Sequence, residues 1–277
     1  MFKVATIGDW WDVTLRPRYD ALLEGGSYLK KIGYLFVIGQ IEELRPRRIL
    51  EFGHARSRLF EIFGDQCEMW GVDEDVPYIS EEEIAVFRKK HEEQHGARFI
   101  KGKIGEVEGL PDNYFDMVCS VSVVEHIPLK KLNDVYREIA GILKPGGWTV
   151  GSYDIGYKRW TKQVFKAHLT AGLEFADPEA KPVFDWHPQV ACFEDGRHVL
   201  QYYMWKVPVD EKAAKFAGNF TTVLMKARKS GTASAPAGSC TNNSLSFRLR
   251  EVMWELKRRC LGITGRPSVK TQRRANS

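Results

Sequence analysis

The chain has 277 residues, 43% hydrophobic and 28% charged, enough apolar material for one large or two small domains and enough to exclude collagen-like, coiled-coil and wholly disordered classes. No run approaches the roughly 20 uncharged apolar residues that span a bilayer, no leader pattern opens the sequence, and the five scattered cysteines form no Cys-x-x-Cys pair, so a reduced, cytoplasmic protein is the expectation. The net charge of +5 is uneven: residues 244–277 hold nine Lys/Arg against two Glu, leaving −2 on the rest, so no sequence-specific nucleic-acid reader is expected.

Helical spacing of Leu29, Ile32, Leu35, Phe36, Ile41 and Leu44 predicts a helix from Ser27 to Leu44, stopped by Pro46, and residues 1–46 read as a helical cap segment. Arg47–Phe52 is a short buried strand ending at Gly53, followed by a short helix over Arg58–Phe63 and a second strand over Glu68–Asp73. Ser80 with Glu83 three residues on is a capping box, so a helix runs from there to Gly96. Ala97–Lys101 and Tyr114–Val121 are the third and fourth strands, the latter apolar enough to be central. Leu129–Leu143 is an amphipathic helix closed by Lys144-Pro-Gly-Gly147, and Trp148–Tyr153 is the fifth strand; His198–Val207 and Asn219–Lys226 form a closing pair.

Strands alternating with helices predict an α/β sheet with parallel strands, occupying residues 47–229. Residues 230–243 are small, polar and uncharged, a flexible linker. In residues 244–277, Leu245, Leu249, Val252, Met253, Leu256 and Cys260 share one helical stripe flanked by Arg250, Lys257 and Arg258. Such a basic amphipathic helix suits an anionic membrane surface, a partner protein, or packing back on its own domain, and with the first it makes the protein peripherally membrane-associated.

In an open α/β sheet ligands bind beyond the carboxyl ends of the strands. Those ends carry Glu51 and Gly53, then Asp73, the Gly102 loop, and Ser120 to His126. An acidic residue some twenty positions beyond the first glycine turn is placed to accept hydrogen bonds from both hydroxyls of a ribose. The turn Glu51-Phe-Gly-His-Ala-Arg-Ser57 has one glycine and an acid that repels phosphate, which favours a cofactor with a ribose and a cationic amino-acid end over a dinucleotide.

These residues resemble the class I S-adenosylmethionine-dependent methyltransferases, in particular the type 11 domain, over roughly residues 45 to 155. Glu51-Phe-Gly53-His-Ala55-Arg-Ser57 is similar to the family's acidic, glycine-rich loop, Gly71-Val-Asp73 to its ribose-binding end, and Leu110-Pro…Phe-Asp116 to its fourth strand. Val124-Glu-His126-Ile is similar to its Glu-His-Ile turn, and Ile142-Leu-Lys-Pro-Gly-Gly147 to its Leu-Lys-Pro-Gly-Gly helix end. The resemblance implies a Rossmann-like, seven-stranded, mostly parallel sheet with helices on both faces. It also implies S-adenosyl-L-methionine as cofactor, with Glu51, Gly53, Ala55, Asp73, Gly102 and Ser120 around it. Ala55 and Ser57 depart from the family's glycines, and Lys103 stands where relatives often place an Asp, leaving adenine to Glu106, backbone groups or another loop.

Methyl transfer needs orientation, with a base only where the acceptor must lose a proton. His126 is the candidate base, with Asp154 and Tyr153 also facing an acceptor; the plainer reading of His126 is that it caps the turn before Pro128. The expected activity is methylation of a small-molecule acceptor such as a saccharide or lipid precursor, oxygen being preferred because of His126. The alternative is a methyltransferase-like binding or scaffold protein without turnover, recruited through the basic tail. His91-Glu-Glu-Gln-His95 matches His-Glu-x-x-His, but Lys89, Lys90 and the helix-ending Gly96 make it a solvated helix end rather than a zinc floor, and no metal is expected.

Overall fold

The computed structural model describes residues 1–14, 28–74, 79–155, 159–186, 190–203 and 219–231. Nearly all of the linker and the whole tail 244–277 lie outside the described residues, as does the end of the expected strand His198–Val207. Residues Met1–Ala233 make one compact unit.

Its centre, among the described residues, is a sheet of nine strands: β1 (Phe2–Val4), β2 (Arg48–Phe52), β3 (Glu68–Asp73), β4 (Arg98–Lys101), β5 (Phe115–Val121), β6 (Leu143–Ile155), β7 (Leu173–Glu174), β8 (Gln201–Tyr203) and β9 (Asn219–Lys229). β4, β3, β2, β5 and β6 lie side by side in parallel, and β9 follows antiparallel to β6. β9 is reversed relative to all the others. The outer edge of β9 pairs in turn with β8 at residues 219–221, β1 at 223–225 and β7 at 228–229. The expected seven strands are therefore corrected to nine, although the sheet is seven positions wide, because three short strands laid end to end share the last position.

This edge also corrects the reading of residues 1–46 as a helical cap, since they begin with a strand of the sheet. Phe2 and Val4 are buried, and the Phe2 ring lies 5.0 Å from both Phe165 and Phe175. Apolar–polar alternation over three residues leaves too little pattern to recognise from sequence. Helix α1 (Ile7–Thr14) follows.

Helix α2 (Tyr28–Leu44) packs on β5, β6, β8 and β9. It buries Leu29, Ile32, Leu35, Phe36, Val37, Ile38 and Ile41, because strands lie beneath it and α1 beside it. Gly33 is its point of closest approach: a Cβ there would stand 2.2 Å from Ser152 Oγ and 2.8 Å from Val121 Cγ1. Helix α3 (Leu59–Phe63) joins this core through Leu59, Phe60 and Phe63. Helix α4 (Glu81–His95) has the expected ends: Ser80 and Glu83 form both bonds of a capping box, and Gly96 closes it in the left-handed region at φ 63°.

Helix α5 (Leu132–Ile142) stops one residue earlier than expected, and Leu143 already pairs with Phe115. The register then jumps to Met117 opposite Trp148, so Lys144-Pro-Gly-Gly147 is a bulge inside β6 rather than a turn before it, with Gly146 at φ 80°. Helices α6 (Arg159–Thr170) and α7 (Ala180–Asp185) cover β7 and β1, and the Phe165 and Phe175 rings stack at 5.2 Å.

Candidate functional site

Glu51 and Asp73 end adjacent parallel strands, with Glu51 opposite Gly71 and Phe52 opposite Val72. Ile49 and Met69 belong to the core beneath α2, so strand alternation turns Glu51 and Asp73 to that same face. Both carboxyls are buried, at 1% and 4% exposure. Asp73 Oδ2 accepts the Ala55 N–H at 2.6 Å, a short charge-assisted bond that ties the loop after β2 to the tip of β3. Glu51 takes a hydrogen bond from Ser57, whose oxygen in turn accepts the Leu59 N–H at 3.2 Å. Burial lifts Glu51 to about 8; Asp73's charge adds to the rise, while Ser57 and Lys30 oppose it. Glu51 Oε2 has no hydrogen-bond partner among the described residues. A buried oxygen left so costs about 1–3 kcal/mol, and an ammonium would satisfy it.

The loop is strained where it bends. Gly53 has φ 67° and a Cβ there would meet Val123 Cγ2 at 2.3 Å, so glycine is required by the turn and by packing together. Ala55 stands at φ 45° without being glycine, and Ser122, beyond the tip of β5, at φ 54°. Non-glycine residues held in this region are enriched at functional sites. His54, fully buried, lies among Phe60, Phe87 and Phe99 at ring distances of 5.1 to 5.8 Å.

At the tips of β5 and β6 the 3₁₀ turn Val124–His126 leaves His126, the expected base, exposed. Its neighbour Glu125 takes the inward position, and Glu125 Oε1 accepts the Asp154 N–H at 3.3 Å. Burial raises both carboxyls, and Asp154's charge raises Glu125 further. Sequence reasoning missed Glu125: one turn residue faces in and the next faces out, and only the backbone shows which.

Gly102 adjoins this end of the sheet, its N–H bonded to the Asp73 carbonyl at 2.9 Å. Ser120 is 2% exposed, but Cys119 and Val121 face α2, so alternation turns Ser120 to the opposite face from Glu51 and Asp73. The sequence-predicted residues brought together are thus Glu51, Gly53, Ala55, Asp73 and Gly102; Ser120 and His126 stand apart, and Asp154 belongs with Glu125. Lys103 pairs with Glu74 at 2.6 Å and Glu106 with Lys131 at 3.0 Å, both at the surface.

His91 is 3% exposed, which corrects the reading of the His-Glu-x-x-His segment as a solvated helix end. Its ring packs 4.6 Å from Phe87 and 5.5 Å from His95, and His95 Nδ1 lies 2.7 Å from Asp65 Oδ1. Among the described residues no cluster of three or more His, Cys, Asp or Glu could hold a metal. A depression of about 320 Å³ lined by Arg47, Asp116, Lys144 and Trp148 opens at the amino ends of the strands, where Lys144 and two backbone N–H groups already occupy the Asp116 carboxylate.

Residues 50–151 match the family described as Methyltransferase domain. The segment is a methyltransferase domain. Its arrangement is the α/β Rossmann-like methyltransferase fold, mostly parallel with helices on both faces. The chain is 44% identical over 57 residues to the sterol 24-C-methyltransferase erg-4 of Neurospora crassa, an alignment covering 21% of this chain and 14% of that protein. It therefore spans about a seventh of the length of the curated relative it matches. Among solved structures the methyltransferase domain is similar to StiE O-MT, with TM-score 0.51 and 14% identity over 92% of this chain and 90% of that one. A Burkholderia thailandensis 1,6-didemethyltoxoflavin-N1-methyltransferase holding S-adenosylhomocysteine gives TM-score 0.44 and 16% identity over 82% of this chain and 92% of that one.

Proposed function

We propose that this chain transfers a methyl group from S-adenosylmethionine to a small-molecule acceptor. The observation that carries the reading is the pair of buried carboxyls, Glu51 and Asp73, on one face of adjacent strand tips within the matched methyltransferase segment. The residues fit the cofactor. Glu51 Oε2 is a buried acceptor without a partner, suited to an ammonium, and Asp73 stands at the ribose position of the fold. Bound there, S-adenosylmethionine supplies a methyl group already activated on a sulfonium.

The chain's own contribution is placement and exclusion of water. Asp73 fixes the loop through the Ala55 N–H, Gly53 lets that loop pass over Val123, and Gly102 holds the next loop against the Asp73 backbone. The acceptor lies on this reading beyond β5 and β6, where Glu125 and Asp154 rather than His126 face inward.

Calorimetry with S-adenosylmethionine and S-adenosylhomocysteine tests the proposal. Both ligands are expected to give heat with the intact chain, and Asp73→Ala to weaken each at least tenfold. No heat at millimolar cofactor removes the enzyme reading and leaves the binding or scaffold alternative, with the tail as its recruiting element.

A further inference from the structure

Glu125 lies in the turn after β5 and Asp154 near the end of the neighbouring β6, and each keeps one buried carboxyl oxygen, Glu125 Oε2 and Asp154 Oδ1, without a hydrogen-bond partner among the described residues. Tyr136 on α5 and Tyr153 on β6 are 1% and 0% exposed, and neither hydroxyl has a partner among the described residues. Both lie near enough to Glu125 for its charge to suppress their ionisation, after the larger effect of burial. Val150 belongs to the core beneath α2, so alternation along β6 turns Asp154 to the α2 face and Tyr153 to the other; the two orphaned carboxyl oxygens share the strand tip, where buried polar atoms are ordinarily paired.

The charges indicate what satisfies them. Lys30 of α2 acts on Glu51, Glu125 and Asp154, and Asp73's charge acts on Glu51. Thr222 of β9 adds a hydroxyl bond to Asp154, without charge. An ammonium at the Glu125–Asp154 pair brings one positive charge and N–H donors for both orphaned oxygens, which a neutral hydroxyl does not. Two acids so close ionise in separate steps, the first proton leaving a singly charged pair able to take another.

We propose that Glu125 and Asp154 seat a cationic amine acceptor and remove its proton, so that the atom methylated is nitrogen. The inference rests on the methyltransferase reading of the site. One N–H bond of R–NH₃⁺ breaks, its electron pair stays on nitrogen as the lone pair that methyl transfer requires, and the proton forms an O–H bond on the ionised carboxylate. The amine becomes neutral and so does the pair.

The test uses the full-length protein, wild type and as Glu125→Gln and Asp154→Asn, with propylamine, benzylamine and their alcohol counterparts. Two readouts are taken: transfer of labelled methyl from S-adenosylmethionine, and ¹³C NMR titration of the side-chain carboxyls with and without amine. Amines are expected to be labelled and alcohols not, and either variant to lose about 100-fold or more in turnover. S-adenosylhomocysteine heat should stay within about twofold of wild type, because general-base loss leaves cofactor contacts untouched. Amine should shift the Glu125 and Asp154 signals, and Asp154→Asn should lower the titration of Glu125 by about a unit, the size expected for losing a close like charge. Labelled alcohols, undiminished turnover in both variants, or carboxyl signals unmoved by saturating amine overturn the proposal. Absence of S-adenosylhomocysteine heat with wild type defeats the cofactor reading instead, and the amine-dependent carboxyl shift then decides the pair by itself.

Discussion

Glu51 links the site to stability, because its buried carboxyl holds a proton that the unfolded chain gives up. Burial raises it from 4.5 to about 8. Between those values the native state binds more protons than the unfolded state, so stability falls as pH rises and the full cost is reached above the native value. His168, driven by burial from 6.5 down to about 3, acts in the opposite sense, but only below 6.5, where the unfolded chain binds the extra proton. From pH 6.5 to 8 the buried glutamates titrate against the Met1 amine, which burial lowers from 8.0 to about 6 and which acts in the opposite sense, so the difference between wild type and Glu51→Gln isolates Glu51. The ligand-free protein should lose stability across this interval, and Glu51→Gln should remove on the order of 1–2 kcal/mol of that loss. Denaturant midpoints at the two pH values measure this; equal slopes for both proteins would exclude a protonated Glu51.

At the scale of elements, Gly33 shows that α2 owes its position to a missing side chain. Alanine there gains about 1 kcal/mol of helix propensity, yet its methyl must displace Ser152 Oγ and Val121 Cγ1, built at 2.2 and 2.8 Å, and overpacking of this kind costs about 1–3 kcal/mol. Gly33→Ala should thus be net destabilising by up to about 2 kcal/mol, and Ser152→Ala in the same chain should recover part of it. Thermal unfolding of the three variants checks the sign, and a stabilised Gly33→Ala would refute the close approach.

The elements legible in the sequence are those with a local physical signature: the apolar runs of β2, β3 and β5, the capping box of α4, and the apolar spacing of α2. Helix α6 was not legible because a histidine, His168, fully buried against Tyr136 at 3.8 Å between ring centres, sits where a pattern search requires an apolar residue. β1 and β7 have three and two residues, too few to show a period. In the site, Glu51 and Asp73 followed from their spacing, whereas the inward turn of Glu125 and the outward face of His126 depend on a 3₁₀ turn that sequence does not announce.

For the molecule as a whole, charge separates a body of −2 from residues 244–277 at +7. Each Lys or Arg near an anionic bilayer contributes about 1 kcal/mol, so the tail predicts recruitment to such a surface. The full chain should float with phosphatidylserine vesicles and lose that behaviour when ended at Ala233, the limit of the compact unit. Equal flotation of both would assign the binding to the body.

The composite edge beyond β9 has a consequence for biosynthesis. Phe2, Lys3 and Val4 find their backbone partners at Met225, Leu224 and Val223, so this strand stays unpaired until the ribosome has released almost the whole domain. During that interval β6 is an open strand, and a nascent chain stalled before Asn219 would present its widest hydrogen-bonding edge to chaperones or to other nascent chains.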